Sequence, residues 1–209
     1  MDTTLIESMI SELCAEGSTE PELHDLLAAV ADREGAVVGQ AELDQGVRFI
    51  SGYIEQVPYM IKVAWTAASN VGLEAQMKKI LEMVESYWLE GDDVIPDELG
   101  MIGLLDDAYC SLTSLQAVSD HFRLQTGKHL FPNDLNAANR AMRKIIGEPY
   151  ASELDRIVIK TMTDTGLIEA AKSLASEEKK LNFAANSTIW SHGPASELDI
   201  AGLRKLGLL

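Results

Sequence analysis

The chain is short of positive charge, of cysteine and of long apolar runs, and each shortage closes off a class of protein. Its 209 residues carry 17 Lys+Arg against 33 Asp+Glu, a formal net charge of -16. A surface of that sign repels nucleic acid and anionic lipid, so no nucleic-acid partner is expected. It favours instead a basic protein surface or cations. Two cysteines, Cys14 and Cys110, lie far apart in apolar helical patterns and are expected as buried thiols rather than a disulfide. No apolar run approaches the roughly 20 residues of a membrane span, so no transmembrane segment is expected. The opening stretch MDTTLIESMISEL lacks a basic region and is interrupted by acids. It is not expected to act as a secretory signal, which makes the cytoplasm the expected compartment.

Catalytic signatures are missing too. The chain contains no His-Glu-x-x-His, no Gly-x-Ser-x-Gly, no phosphate-binding loop and no Gly-x-Gly-x-x-Gly. The four histidines, His24, His121, His129 and His192, are scattered and do not have zinc-ligand spacing. No residue is therefore assigned a catalytic or cofactor-binding role, and a non-enzymatic protein is the preferred reading. Asn186-Ser187-Thr188 matches a glycosylation acceptor only by chance in a cytoplasmic protein. Arg140, Arg143 and Lys144 are expected as a solvated basic face of one helix.

What the chain does have is helical periodicity. It is 46% hydrophobic, which excludes wholesale disorder. Ile6, Met9, Ile10 and Leu13 share one helical face, and Leu23, Leu26, Leu27 and Val30 form a second stripe. A third helix runs from about Gln40 with Val47, Ile50 and Ile54 inward, and Pro58 is expected to kink or restart it before Ile61, Ala64 and Trp65. Leu73, Met77, Ile80, Leu81, Val84, Tyr87 and Trp88 make the clearest stripe, spaced by about 3.6 residues per turn. A further helix from near Gly103 has Leu105, Ala108, Leu112, Leu115 and Phe122 inward. Gly127 to Pro132 reads as a turn, with Asn133 or Asp134 as the next helix cap. Two short helices follow around Leu154–Met162 and Leu167–Leu174. Ser176 to Lys180 reads as a charged, solvated stretch, and Asn182 to Pro194, with Trp190, as irregular. A last amphipathic turn starts at Ser196-Glu197. Nothing alternates with period two, and no long repeat is evident. The expected fold is an all-α, multi-helix bundle of about eight or nine helices around a central helical hairpin. Its expected parts are N-terminal helices over 1–39, a helical core over 40–126 and a helical extension over 127–209.

The acids are unevenly placed. Residues 1–107 hold 22 acids and 5 bases, whereas residues 108–209 hold 11 acids and 12 bases. The densest run is YWLEGDDVIPDELGMIGLLDDAY, from Tyr87 to Tyr109. Within it, Asp93-Val94-Ile95-Pro96-Asp97, followed by Asp106-Asp107 after Gly103, resembles the YkvA-like family, a small bacterial helical domain family of unknown function. Its signature is Asp-x-Ile-Pro-Asp followed by Gly-x-x-Asp-Asp. The resemblance covers roughly residues 45 to 125 and includes the preceding helix ending at Tyr87 and Leu89. It implies a helical hairpin and supplies no activity. The family often has proline where this chain has Asp92 and Gly100, and many relatives have a more apolar hairpin beside a membrane. Membrane-peripheral binding rests on that analogy alone and is opposed by the net charge.

Physically, Ile95-Pro96 disfavours mid-helix geometry, which places Asp97 at a cap or turn. Asp106 and Asp107 fall at the start of the next helix, where free N–H groups and the helix dipole stabilise a negative charge. Capping therefore accounts for every acid of the motif and is the preferred reading. The alternative is a Mg²⁺ or Ca²⁺ site formed by Asp93, Asp97 and Asp106 or Asp107, with Asp92 nearby, in a metal-dependent enzyme or metal-regulated module. Against it, adjacent Asp106 and Asp107 should point about 100° apart on a helix, and the spacing does not fit a calcium loop. The preferred function is protein–protein interaction or regulation through the acidic surface. The sequence leaves oligomeric state open.

Overall fold

The apolar spacing is realised as eight α-helices, with no strand, among the described residues. The computed structural model describes residues 3–15, 19–69, 72–89, 94–95, 97–130, 134–181 and 201–209. For 13–15, 19–20, 97–98, 178–181 and 201–202 only the backbone is described. The helices are α1 (Thr4–Ala15), α2 (Thr19–Arg33), α3 (Gln40–Ser69), α4 (Glu74–Ser86), α5 (Leu105–Thr126), α6 (Asn136–Ile146), α7 (Tyr150–Asp164) and α8 (Leu167–Leu181). Two short 3₁₀ turns, Asp97–Ile102 and Ala201–Arg204, complete the order. No helix of the described residues is long and apolar enough to cross a membrane.

Helix α5 is the axis. It packs against α3, α4, α6, α7 and α8. Its expected inner face of Leu105, Ala108, Leu112, Leu115 and Phe122 is buried, but so are Asp106, Asp107, Ser111, Ser114, Gln116 and Ser119. A helix enclosed on nearly every side must pair its polar groups within the protein, since an unpaired buried polar atom costs more than a hydrogen bond returns. The α5 side chains do this by gripping the surrounding elements. Trp88 Nε1 donates to Ser111 Oγ at 2.9 Å, and the Tyr87 and Ser114 hydroxyls meet at 3.2 Å, which fixes the end of α4. The backbone N–H of Leu130 donates to Ser119 Oγ at 3.1 Å, and that of Leu135 to Gln116 Oε1 at 2.8 Å, which fixes the approach to α6. Tyr53 of α3 donates to Asn139 Oδ1 of α6 at 2.8 Å in the buried interior.

Packing overrides local preference in three places. Of the two outcomes expected at Pro58, a kink or a restart, the restart does not occur: α3 runs unbroken over 30 residues. Proline removes one ladder bond and crowds the preceding turn at a cost of roughly 3 kcal/mol. Here that is outweighed by burial of Ile54, Val57 and Ile61, all at 0% exposure, on both sides of it. The charged stretch Ser176–Lys180 does not end the helix: it is the last turns of α8, which continues to Leu181, with Ala171, Leu174 and Ala175 burying one face against the bundle. Helix α5 has no solvent-facing half, for the reason just given.

Other turns fall where expected. Gly127 ends α5 in the left-handed conformation, φ 78°, with its N–H on the Arg123 carbonyl at 2.7 Å. Asp134 Oδ1 accepts the Asn136 N–H at 2.9 Å at the entrance to α6, while Asn133 lies outside the described residues. So do Trp190, His192 and the expected start at Ser196-Glu197. One apolar cluster runs from Ile6 to Leu208, and α6, α7 and α8 contribute to it together with α1 to α5.

Candidate functional site

The acidic motif sits where α4 ends and α5 begins. Val94 and Ile95 direct both backbone N–H groups at one oxygen, Asp106 Oδ2, at 2.9 Å each. The Asp107 N–H lies 3.2 Å from the other oxygen, Oδ1. Ile95 and Asp106 are both buried. The Asp106 carboxylate thus stitches the loop to the first turn of α5. Buried backbone donors so far from secondary structure need such an acceptor, and a charged one makes the stronger bond.

Gly100 turns the chain inside the 3₁₀ stretch at φ 62°, ψ -130°, and its carbonyl accepts the Gly103 N–H at 2.9 Å. Proline, locked near φ -65°, would not make this turn. Of the remaining motif residues, Tyr87 is held to Ser114 and Gly103 is buried. Asp92, Asp93 and Pro96 lie outside the described residues, and of Asp97 only the backbone, opening the 3₁₀ turn, is described.

Asp106 and Asp107 are 3% and 7% exposed, and both line one cleft of about 470 Å³. Met83 of α4 and Leu154, Lys160 and Asp164 of α7 also line it. Cys110 completes the floor, one turn along from Asp106. Its sequence signal, a cysteine four residues after one Asp and three after the other, was available but says nothing until α7 closes the cleft. Burial pushes the Cys110 thiol up, and the nearby charges of Asp106, Asp107 and Asp155 push it further in the same direction. At neutral pH it is a protonated thiol, which is a poor nucleophile and a poor metal ligand.

A second polar cluster was not legible in advance. Tyr109 donates to Asp155 Oδ1 at 2.7 Å, and Arg143 Nε donates to Asp155 Oδ2 at 2.8 Å. Arg143 also donates to Glu148 at 2.9 Å and to Ser152 Oγ at 3.3 Å. Burial raises the Tyr109 phenol, and its bond to Asp155 raises it further. Arg143 therefore belongs to a structural bridge between α5, α6 and α7, while its helix neighbours Arg140 and Lys144 are exposed. Lys144 leans towards Glu34 and donates to the Gly207 carbonyl at 3.0 Å.

Among the described residues, no three of His, Cys, Asp and Glu are grouped so as to hold a metal ion. His24 pairs with Asp44 at 3.0 Å. The acid-rich front half presents its charge most plainly on α2. At about 100° per residue, Glu22, Asp25 and Asp32 fall within about 80° of one another, and all three are exposed. No family model, no curated protein and no solved structure matches this chain.

Proposed function

We propose that this is a non-catalytic, cytoplasmic protein of bacterial type whose acid-rich front half binds a protein with a basic surface, with residues of about 45 to 125 forming a YkvA-like helical hairpin. The observation that carries the reading is the outward face of α2, where Glu22, Asp25 and Asp32 stand exposed together. Asp106 of the motif, in contrast, is engaged in holding its own loop. Charge of one sign on one face speeds encounter with an oppositely charged partner and makes affinity depend on salt. Affinity capture with the full chain at low and high salt tests this. Partners retained at low salt should be lost at high salt, and lost at both with Glu22→Lys, Asp25→Lys and Asp32→Lys combined. Capture of nothing at low salt would remove the reading.

One observation favours a second reading. Asp106 and Asp107 share a single cleft, so a Mg²⁺ or Ca²⁺ ion drawing further ligands from Asp93 or Asp97 would place the protein among metal-regulated modules or metal-dependent enzymes. Thermal melts after chelation, with millimolar Mg²⁺, Mn²⁺ or Ca²⁺ restored, decide it. A stabilising shift from one ion that disappears in Asp93→Asn supports the site, because a ligand of the native state raises its melting temperature. No shift from any ion leaves these acids as loop and helix-start groups.

A further inference from the structure

Helix α6 packs along α5, and a cleft of about 190 Å³ opens between the two. Thr113, Gln116 and Asp120 line it from α5, and Asn139, Arg140 and Arg143 from α6. Half of these groups are engaged within the protein. Gln116, 3% exposed, accepts from the Leu135 N–H at 2.8 Å and donates to Asp120 Oδ1 at 2.9 Å. Asn139, 8% exposed, accepts from the Tyr53 hydroxyl at 2.8 Å. Arg143 is held by Asp155 and Glu148. Together they make a frame that is in place before anything enters the cleft.

The other three groups keep capacity to bind. Arg140 is exposed and, among the described residues, makes no hydrogen bond or ion pair. Asp120 has one hydrogen bond among them, from the Gln116 amide, which leaves its second oxygen without one. Thr113 Oγ1 is buried and has no partner in bonding geometry, although the phenols of Tyr53 and Tyr109 stand near it. The two charges are of opposite sign, line one small cleft and form no ion pair with each other. A simple anion entering the cleft is opposed by Asp120 and a simple cation by Arg140, because like charges at close range repel. A molecule that carries an ammonium and a carboxylate on one short skeleton gives each a charge-assisted hydrogen bond. The volume lies below the roughly 300 Å³ at which sites for drug-sized ligands begin, which limits the occupant to a few heavy atoms.

We propose that the cleft between α5 and α6 binds a small zwitterion, a free amino acid whose ammonium meets Asp120 and whose carboxylate meets Arg140, with Thr113 Oγ1 as a further hydrogen-bond partner. The cleft shares no residue with the acidic motif or with the exposed acids of α2, and its ligand is independent of what those bind. Such a ligand joins the axial helix of the bundle to α6 and so stabilises the native state.

The test titrates isotope-labelled full-length protein with glycine, β-alanine, γ-aminobutyrate and L-serine, which hold the two charges at different separations or add a hydroxyl. Acetate and methylammonium, with one charge each, serve as comparisons. The side-chain amide signals of Gln116 and Asn139 report on the cleft by NMR. At least one zwitterion should shift them saturably, and acetate and methylammonium should bind roughly tenfold more weakly, having lost one charge-assisted contact. Arg140→Gln and Asp120→Asn should each weaken that zwitterion by about tenfold as well. Arg140 is exposed, and Asp120→Asn retains an acceptor for the Gln116 amide, so both variants should keep wild-type helical content by circular dichroism. Should Asp120→Asn lose it, Arg140→Gln alone decides. If no zwitterion shifts the signals, or if acetate or methylammonium binds as tightly as the best of them, the proposal is overturned. Unchanged affinity in Arg140→Gln would overturn it too, by placing the ligand elsewhere.

Discussion

At the scale of single residues, the acids of the motif divide by what their oxygens touch. Asp106→Ala leaves the Val94 and Ile95 N–H groups without their acceptor in a buried position. The expected loss is about 2–4 kcal/mol, within the range for removing a charged partner from buried donors. Asp106→Asn, which keeps one acceptor oxygen, should lose less. Urea unfolding of the two variants checks the order, and equal stability of Ala and wild type would mean that the loop holds without this carboxylate. Gln56 presents the opposite case. It is 3% exposed and its Nε2 has no partner among the described residues. Gln56→Met, similar in volume and without the amide, should raise stability by about 1 kcal/mol. A fall in the urea midpoint would reveal a partner for that amide. Glu42 is an acid whose titration is set by one ion pair. The hydrogen bond from Lys205, then that from the Gly39 N–H, hold its carboxyl below the usual range. A depressed folded-state pKa contributes stability above the ordinary glutamate range, lost as pH falls through the folded value. Lys205→Ala should move the Glu42 midpoint upward in an NMR titration, and an unmoved midpoint would place the ion pair outside solution conditions.

At the scale of elements, α5 explains why the bundle has one axis rather than a simple two-faced packing. Its serines and amides look, along the sequence, like a solvated side, because a polar residue at helical spacing ordinarily faces water. They face inward here because α4, α6, α7 and α8 close on that side, and their burial could not be read before the partners were placed. The bond from Tyr53 to Asn139 ties α3 to α6 next to α5. Tyr53→Phe should cost roughly 1–3 kcal/mol by leaving the buried amide oxygen unpaired. In a double-mutant cycle with Asn139→Ala the two losses should be strongly non-additive, and simple additivity would mean that the two side chains act separately. Helix α3 shows the same priority of packing over local preference, since it absorbs Pro58 without a break.

At the scale of the molecule, the apolar cluster joins residues from Ile6 to Leu208, and the chain's last leucines are as buried as its first helices. Unfolding should accordingly be a single cooperative transition, with no separate step for residues 127–209. Leu206→Ala should lower the midpoint of that whole transition, by about 2–5 kcal/mol of stability for a buried leucine truncated to alanine. Calorimetry checks both at once. Two resolved transitions in the wild-type protein, only the later-sequence one responding to Leu206→Ala, would show that the front and back halves fold independently.

The sequence by itself determined the helical class, most helix positions and the place of the acidic motif. The stripe from Leu73 to Trp88 and the stop at Gly127 depend on local spacing and φ preference, both carried by neighbouring residues. Tertiary structure alone decided that Asp106 spends its carboxylate on Val94 and Ile95, that Asp107 and Cys110 share a cleft with Lys160 and Asp164, and that Asp155 draws Tyr109 and Arg143 together. It also decided that residues 201–209 fold back onto α3, more than 130 residues upstream. These are contacts between segments far apart in the chain. Periodicity constrains only which face of an element is apolar, and many pairings of such faces bury similar area; the choice among them is made by fit and by the pairing of buried polar groups.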